Sequence, residues 1–314
     1  MMTIIIVLIS LAGIVLGADW LVDGSVAIAK RYRVSDFVIG AAIIGIGTSM
    51  PELTVSFAGA IHGNSDVAIG NIVGSNIFNI LGILGVTALL FPIPIEKANM
   101  KFEIPLCIAV SVLITLLSFN FFCGSDTPVI TRTDGLILLA VFAFYMWYSL
   151  RKGKNIPMET VAETGEKTMK LWKALCLIII GLAILVSSCD LFVDKAMIIA
   201  RESGMSEAVI AITLIGCGTS LPELAASLVA AYKKNTQLAL GNIIGSNIFN
   251  IAMILGVSAQ VTDLSSENIT LADYLVMILA AVLPVIWGIR GRISRLRGAI
   301  MLIIFIGYCI YLIN

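Results

Sequence analysis

Residues 47–52 read Gly47-Thr48-Ser49-Met50-Pro51-Glu52, and the hexapeptide returns as Gly218-Thr219-Ser220-Leu221-Pro222-Glu223. A second stretch, Gly70-Asn71-Ile72-Val73-Gly74-Ser75-Asn76-Ile77-Phe78-Asn79-Ile80, recurs at 241–251 with one Val-to-Ile change. Working outward from these two runs, the whole of 19–86 aligns with 190–257 at a constant offset of 171, without insertion, and about half of the 68 pairs are identical. Polar residues in a duplicated segment ordinarily drift first. Here they are retained, and they lie inside apolar runs, as a two-fold-related site within a membrane requires.

Composition agrees. A chain that is 59% hydrophobic and 13% charged, with mean hydropathy +1.03, lies outside the range of soluble domains. Ten apolar stretches are long enough to cross a hydrocarbon core of ~30 Å: 3–28, 36–61, 66–91, 103–122, 133–150, 172–200, 207–231, 236–261, 271–289 and 298–313. The first lacks a basic leader and a small-residue cleavage site, so it reads as a span. The loops after spans 1, 3, 5, 7 and 9 carry 17 of the 20 Lys and Arg residues. The positive-inside rule puts those loops in the cytoplasm and both termini outside, across a cell (inner) membrane. Five spans per repeat is an odd number, so the second repeat enters the bilayer inverted. The expected fold is therefore an all-α integral membrane protein of ten transmembrane helices in two inverted five-helix repeats, 1–150 and 172–314. Residues 151–171, with three Gly or Pro and eight charges, read as a cytoplasmic linker.

The chemistry lies in spans 2, 3, 7 and 8. Glu52 and Glu223 fall near the middle of apolar spans, where an ionised carboxylate costs at least ~2.5–3.5 kcal/mol. No Lys or Arg occurs between Arg33 and Lys97, or between Arg201 and Lys233. Two such acids brought together must share protons and bridge helices, or hold a cation. Pro51 and Pro222 have no amide hydrogen, so the carbonyls of Gly47 and Gly218 are expected to lose their helical partners. Gly45 and Gly216 loosen the same turn; Thr48, Ser49, Thr219 and Ser220 add hydroxyls there. Ser75 and Asn79 share one helix face, as do Ser246 and Asn250. The ligand set is all oxygen, which suits Ca²⁺ or Na⁺ rather than Zn²⁺ or Cu⁺. Two negative charges balance one Ca²⁺ or two Na⁺, so the ions would exclude one another.

The paired motifs G-T-S-x-P-E and G-N-x-x-G-S-N-x-x-N, duplicated in inverse orientation, resemble the α-repeats of the cation/Ca²⁺ antiporter superfamily. They look most like the prokaryotic branch of the sodium/calcium exchanger family. The resemblance implies a sodium/calcium exchanger-like fold with broken helices 2, 3, 7 and 8 forming the core, four ion sites between them, and helices 1 and 6 sliding over that core. It implies that Glu52 and Glu223 bridge Ca²⁺, that the Thr48 and Thr219 carbonyls complete its shell, and that Gly45, Ser49, Ser75, Gly216, Ser220 and Ser246 serve Na⁺. Some relatives carry Asp where this chain has Asn250; Asn on both sides, at 79 and 250, leaves only two acids and argues against K⁺ dependence.

Three classes of function follow: Na⁺/Ca²⁺ antiport, H⁺/Ca²⁺ antiport on the same fold, and a membrane enzyme or channel. Duplicated motifs argue against the enzyme, which needs an asymmetric site. No nucleotide-cradling motif occurs, so neither an organic cofactor nor nucleic acid is expected. The partners are the transported ions and the bilayer, and a monomer is expected because the halves already form an internal dimer. Asn71, Asn76, Asn242 and Asn247 are expected to stabilise the breaks in spans 3 and 8 by bonding freed backbone, with direct ion ligation as the alternative. Asp19, Asp23, Asp190 and Asp194 either line the pathway mouths or cap interfaces. His62 reads as interfacial, and the six cysteines as buried thiols.

Overall fold

The computed structural model describes residues 2–119, 129–152, 169–203, 217–265 and 268–313. Its helices are α1 (Met2–Tyr32), α2 (Asp36–Thr48), α3 (Met50–Ile61), α4 (Ser65–Leu90), α5 (Lys97–Ser118), α6 (Arg132–Lys152), α7 (Leu171–Glu202), α8 (Leu221–Tyr232), α9 (Thr236–Val261), α10 (Leu271–Gly288) and α11 (Arg295–Ile313). Among the described residues eight helices are long and apolar enough to cross a bilayer, and α2 with α3 forms a ninth span bent by 49°. The shorter α8 stands where the second half of the expected seventh span lies; 204–216 are outside the described residues, as is most of the 151–171 linker.

The repeat is visible in how the helices begin. Asn64 caps α4 by accepting from the Val67 amide at 3.2 Å, and Asn235 caps α9 by accepting from Leu238 at 3.1 Å. Pro51 and Pro222 each sit in the first turn of a helix, α3 and α8, where a missing N–H leaves no bond unmade. Gly218 does not lose its partner as expected: its carbonyl accepts from the Leu221 amide at 3.2 Å, a tighter i→i+3 turn.

A second expectation is corrected in spans 3 and 8. Neither is interrupted; α4 and α9 run through, and each widens into a π-helical stretch, Phe78–Leu84 and Phe249–Leu255. Neither helix contains proline, so the backbone absorbs the irregularity as i→i+5 bonding rather than as a break. Gly40–Gly45 in α2 is π-helical too.

Two short antiparallel pairs join the halves. β1 (Ile93–Pro94) pairs with β4 (Arg292–Ile293), and β2 (Val129–Ile130) pairs with β3 (Leu264–Ser265). β1 and β3 are themselves repeat equivalents, 171 residues apart, so each half receives a strand from the other. The core sits on α9, which is buried at every residue from Leu238 to Ala252 and lies against α2, α4 and α8.

Outside this core, α1 and α7 cross in close contact. A Cβ added at Gly17 would lie 2.5 Å from the Leu185 amide nitrogen, and one at Gly181 would lie 2.7 Å from that of Leu21. Small residues let two membrane helices bring their backbones together, and the gain is close packing. Gly181→Leu should therefore force α1 and α7 apart at an overpacking cost of roughly 1–3 kcal/mol. The expected readout is a lower melting temperature in detergent, with Gly307→Leu on α11, where a Cβ meets nothing within 4 Å, as the neutral comparison.

Candidate cation site

The bend between α2 and α3 falls at Ser49, and the start of α8 falls at Ser220. Each serine turns its hydroxyl across to the other repeat. Ser49 Oγ donates to Glu223 Oε1 at 2.7 Å, and Ser220 Oγ donates to Glu52 Oε1 at 2.7 Å. Glu52 and Glu223, both 0% exposed, are thus brought into electrostatic reach of one another. Among the described residues neither carboxylate is bonded to a lysine or arginine.

The second oxygen of each acid, Oε2, is buried without a hydrogen-bond partner. So are Asn79 Oδ1, Asn250 Oδ1 and Ser75 Oγ. Unpartnered buried acceptors carry a desolvation cost of about 1–3 kcal/mol each. Among the described residues, five of the ten such atoms lie on residues already singled out by the repeats, the others being on Ser25, Glu103, Tyr145, Ser149 and Ser258, and all are oxygens. Hard cations prefer that donor set. Among the described residues there is no group of three or more His, Cys, Asp or Glu, so a softer-metal site has no support.

Asparagines form the frame. Asn71 Nδ2 donates to the Glu52 carbonyl at 3.2 Å and to Ser56 Oγ at 2.9 Å; Asn242 Nδ2 repeats this with Glu223 at 3.1 Å and Ser227 at 2.8 Å. Between repeats, Asn76 and Asn247 donate to each other's carbonyls at 3.2 and 3.3 Å. Their side-chain oxygens accept in turn from Asn250 at 3.1 Å and Asn79 at 3.0 Å. Asn71, Asn76, Asn242 and Asn247 bond backbone carbonyls, but not at breaks in spans 3 and 8, because those helices run through. Asn79 and Asn250 are held by their amide nitrogens, which leaves their carbonyl oxygens free for a ligand.

The remaining candidates divide. The Thr48 hydroxyl donates to the Ile44 carbonyl at 2.9 Å and lies 3.3 Å from Asn242 Oδ1, and the Thr219 hydroxyl lies 3.4 Å from Asn71 Oδ1. Ser246 Oγ donates to the Gly45 carbonyl at 3.2 Å, which ties those two together. Gly216 lies outside the described residues. His62 Nδ1 meets the Ala58 carbonyl at 2.8 Å at the end of α3, away from the site. Of the cysteines, Cys107 and Cys189 are buried and Cys176 is exposed, while Cys123 is outside the described residues. Ser56 and Ser227 went unnoticed in the sequence although they too are identical at the offset of 171. Asp19 and Asp23 pair with Lys233.

Comparison with known proteins points the same way. A family model described as sodium/calcium exchanger protein matches residues 2–151 and 173–314. The putative antiporter CaxA of Alkalimonas amylolytica is 40% identical over 97% of this chain and 96% of its own. The sodium/calcium exchanger MaX1 of Methanosarcina acetivorans is 29% identical over 98% and 97%. A solved structure of the sodium-calcium exchanger NCX_Mj, soaked with zero Na⁺ and Ca²⁺, superposes with a TM-score of 0.84 at 32% identity, covering 99% of this chain and 98% of that one.

The frame and the free oxygens should respond oppositely to mutation. Asn247→Ala removes a cross-repeat bond and strands Asn79, so thermal stability in ion-free buffer should fall by about 1–3 kcal/mol. Ser75→Ala deletes a buried hydroxyl that has no partner, so stability there should hold or rise. The added stabilisation on titrating Na⁺, followed by thermal melting, should nevertheless shrink in Ser75→Ala.

Proposed function

Because the chain belongs to the sodium/calcium exchanger family, we propose that it exchanges Ca²⁺ for Na⁺ by alternating access, through a mid-membrane site built around Glu52 and Glu223. One observation carries this reading. Each glutamate has one oxygen held by the opposite repeat's serine and one buried oxygen without a partner. A divalent ion between the two free oxygens would satisfy both acids at once. The oxygens of Asn79 and Asn250 and the carbonyls of Thr48 and Thr219 would fill its shell, consistent with the ~6–8 ligands Ca²⁺ takes.

Sodium would compete for the same charge. Two Na⁺ ions neutralise the pair as one Ca²⁺ does, with Ser75, Ser246, Ser49, Ser220 and the carbonyls of Gly45 and Gly216 as flanking donors. Occupancy by one ion then excludes the other, which couples their fluxes. Without either ion, two ionised carboxylates would face each other in an apolar interior, which discourages an uncoupled return. In the bilayer the Lys- and Arg-rich loops, including 151–171, would face the cytoplasm and both termini the outside.

Proton coupling is the competing reading, since buried paired acids also take up protons. Isotope flux into proteoliposomes separates the two. A Na⁺ gradient alone should drive ⁴⁵Ca²⁺ uptake, and a pH gradient alone should not; the reverse result would reassign the counterion. Glu52→Gln and Glu223→Gln should each lower exchange by more than the roughly 10–100-fold that loss of an outer-shell partner costs a metal site. Full exchange by either variant would overturn the site.

A further inference from the structure

The two repeats differ where α1 and α7 meet the core. Lys233, which follows the last turn of α8, reaches α1. Its Nζ lies 2.6 Å from Asp19 Oδ1 and 2.7 Å from Asp23 Oδ1, and 3.4 Å from the Asp19 carbonyl oxygen. Asp19 and Asp23 are four apart, on one face of α1, so a single ammonium clasps both. Partial burial works against the charge on Lys233, but the hydrogen bonds and charges of the two aspartates outweigh it and raise its pKa.

The repeat-related position has no such clasp. Asp190 and Asp194 on α7 are the equivalents of Asp19 and Asp23, but the equivalent of Lys233 is His62. His62 bonds its own helix at Ala58, and among the described residues Asp190 and Asp194 form no ion pair. Packing follows the same asymmetry. Along its second half α1 runs beside α8, and Leu21, Val22, Ser25 and Ile28 are buried. Across the pseudo-dyad α7 barely meets α3, and the corresponding Phe192, Val193, Ala196 and Ile199 are only partly covered. One side of the core carries helix contact plus an ion pair; at the repeat-related position the packing is looser.

We infer that Lys233, with Asp19 and Asp23, is a latch that holds the Lys/Arg-rich side of the site closed and so sets which side the site opens to. Lys233 acts as a positioning residue through α1 rather than by touching the ion. It rests on the antiport reading only for the transport half of its test. Fixing one closed side lowers the fraction of molecules able to bind from that side, which raises the apparent KM there and lowers it opposite. An ion pair this exposed, 27% for Lys233 and 43% and 49% for the aspartates, shifts such an equilibrium by roughly two- to tenfold.

Hydrogen exchange in detergent, measured on Lys233→Met, Asp19→Asn/Asp23→Asn and Lys233→Arg, tests the latch without any transport. In the first two variants exchange should quicken in the second half of α1 and the end of α8, and slow in the second half of α7 and in α3. Lys233→Arg should restore the wild-type pattern. Quickening at α1 and α8 with no slowing across the dyad would mean a purely local structural bond and would overturn the inference. In proteoliposomes of sorted orientation, the same variants should lower the Ca²⁺ KM on the Lys/Arg-rich side by roughly two- to tenfold and raise it on the other. A change in KM of the same sign on both sides would also overturn it. An absence of Ca²⁺ flux in the wild type would instead count against the proposed function and leave the exchange result standing.

Discussion

Two carboxylates without a cationic side chain beside them sit in the middle of an apolar bundle, and the rest of the molecule is arranged around that fact. Burying such groups is unfavourable unless something compensates. The protein compensates them by half. Each acid is given one hydroxyl by the serine of the opposite repeat and is otherwise left open. A lysine in the same place would have made a more stable protein with a permanently neutral interior and no use for an ion. In the proposed exchanger, that incompleteness would make the interior responsive to what is dissolved outside.

Holding two half-satisfied acids in register requires a frame that does not itself compete for their free oxygens. The asparagines meet that need. Asn71 and Asn242 direct their amide hydrogens to the glutamates' own backbone carbonyls, while Asn76 and Asn247 close on each other across the repeats. Buried polar networks of this kind reinforce themselves when complete and are costly when broken. Placing them on α4 and α9, next to the wide π turns, puts an oxygen-rich lining beside helices that remain continuous and hence stiff.

Much of this was legible in the sequence, because identity between two copies that see opposite sides of a membrane isolates the residues facing their shared axis. That logic picked out Glu52, Glu223, Ser75, Asn79 and Asn250, all of which hold unpartnered oxygens in the structure. It assigned the other four asparagines to backbone at breaks in spans 3 and 8; they do bond backbone carbonyls, but in helices that run through. It failed where the answer depended on backbone geometry. A proline does free a carbonyl in an ideal helix, but a tighter turn at Leu221 recovered the one at Gly218. Breaks were expected in α4 and α9 as well, whereas those helices widened without parting. Repeat identity was also blind to Lys233, since its counterpart is a histidine; only the three-dimensional contact with Asp19 and Asp23 exposed it.

The glycine-to-backbone crossing of α1 and α7 carries one more consequence. Helices whose main chains touch at Gly17 and Gly181 have little play between them, so in the proposed alternating access they would swing as a single strut rather than as two independent shutters. Such a strut works like a seesaw: whatever room it yields at one face it takes from the other. A continuous leak through the molecule would require that crossing to part. In the proposed exchanger, tightness against leakage would therefore be vested in two residues with no side chain at all.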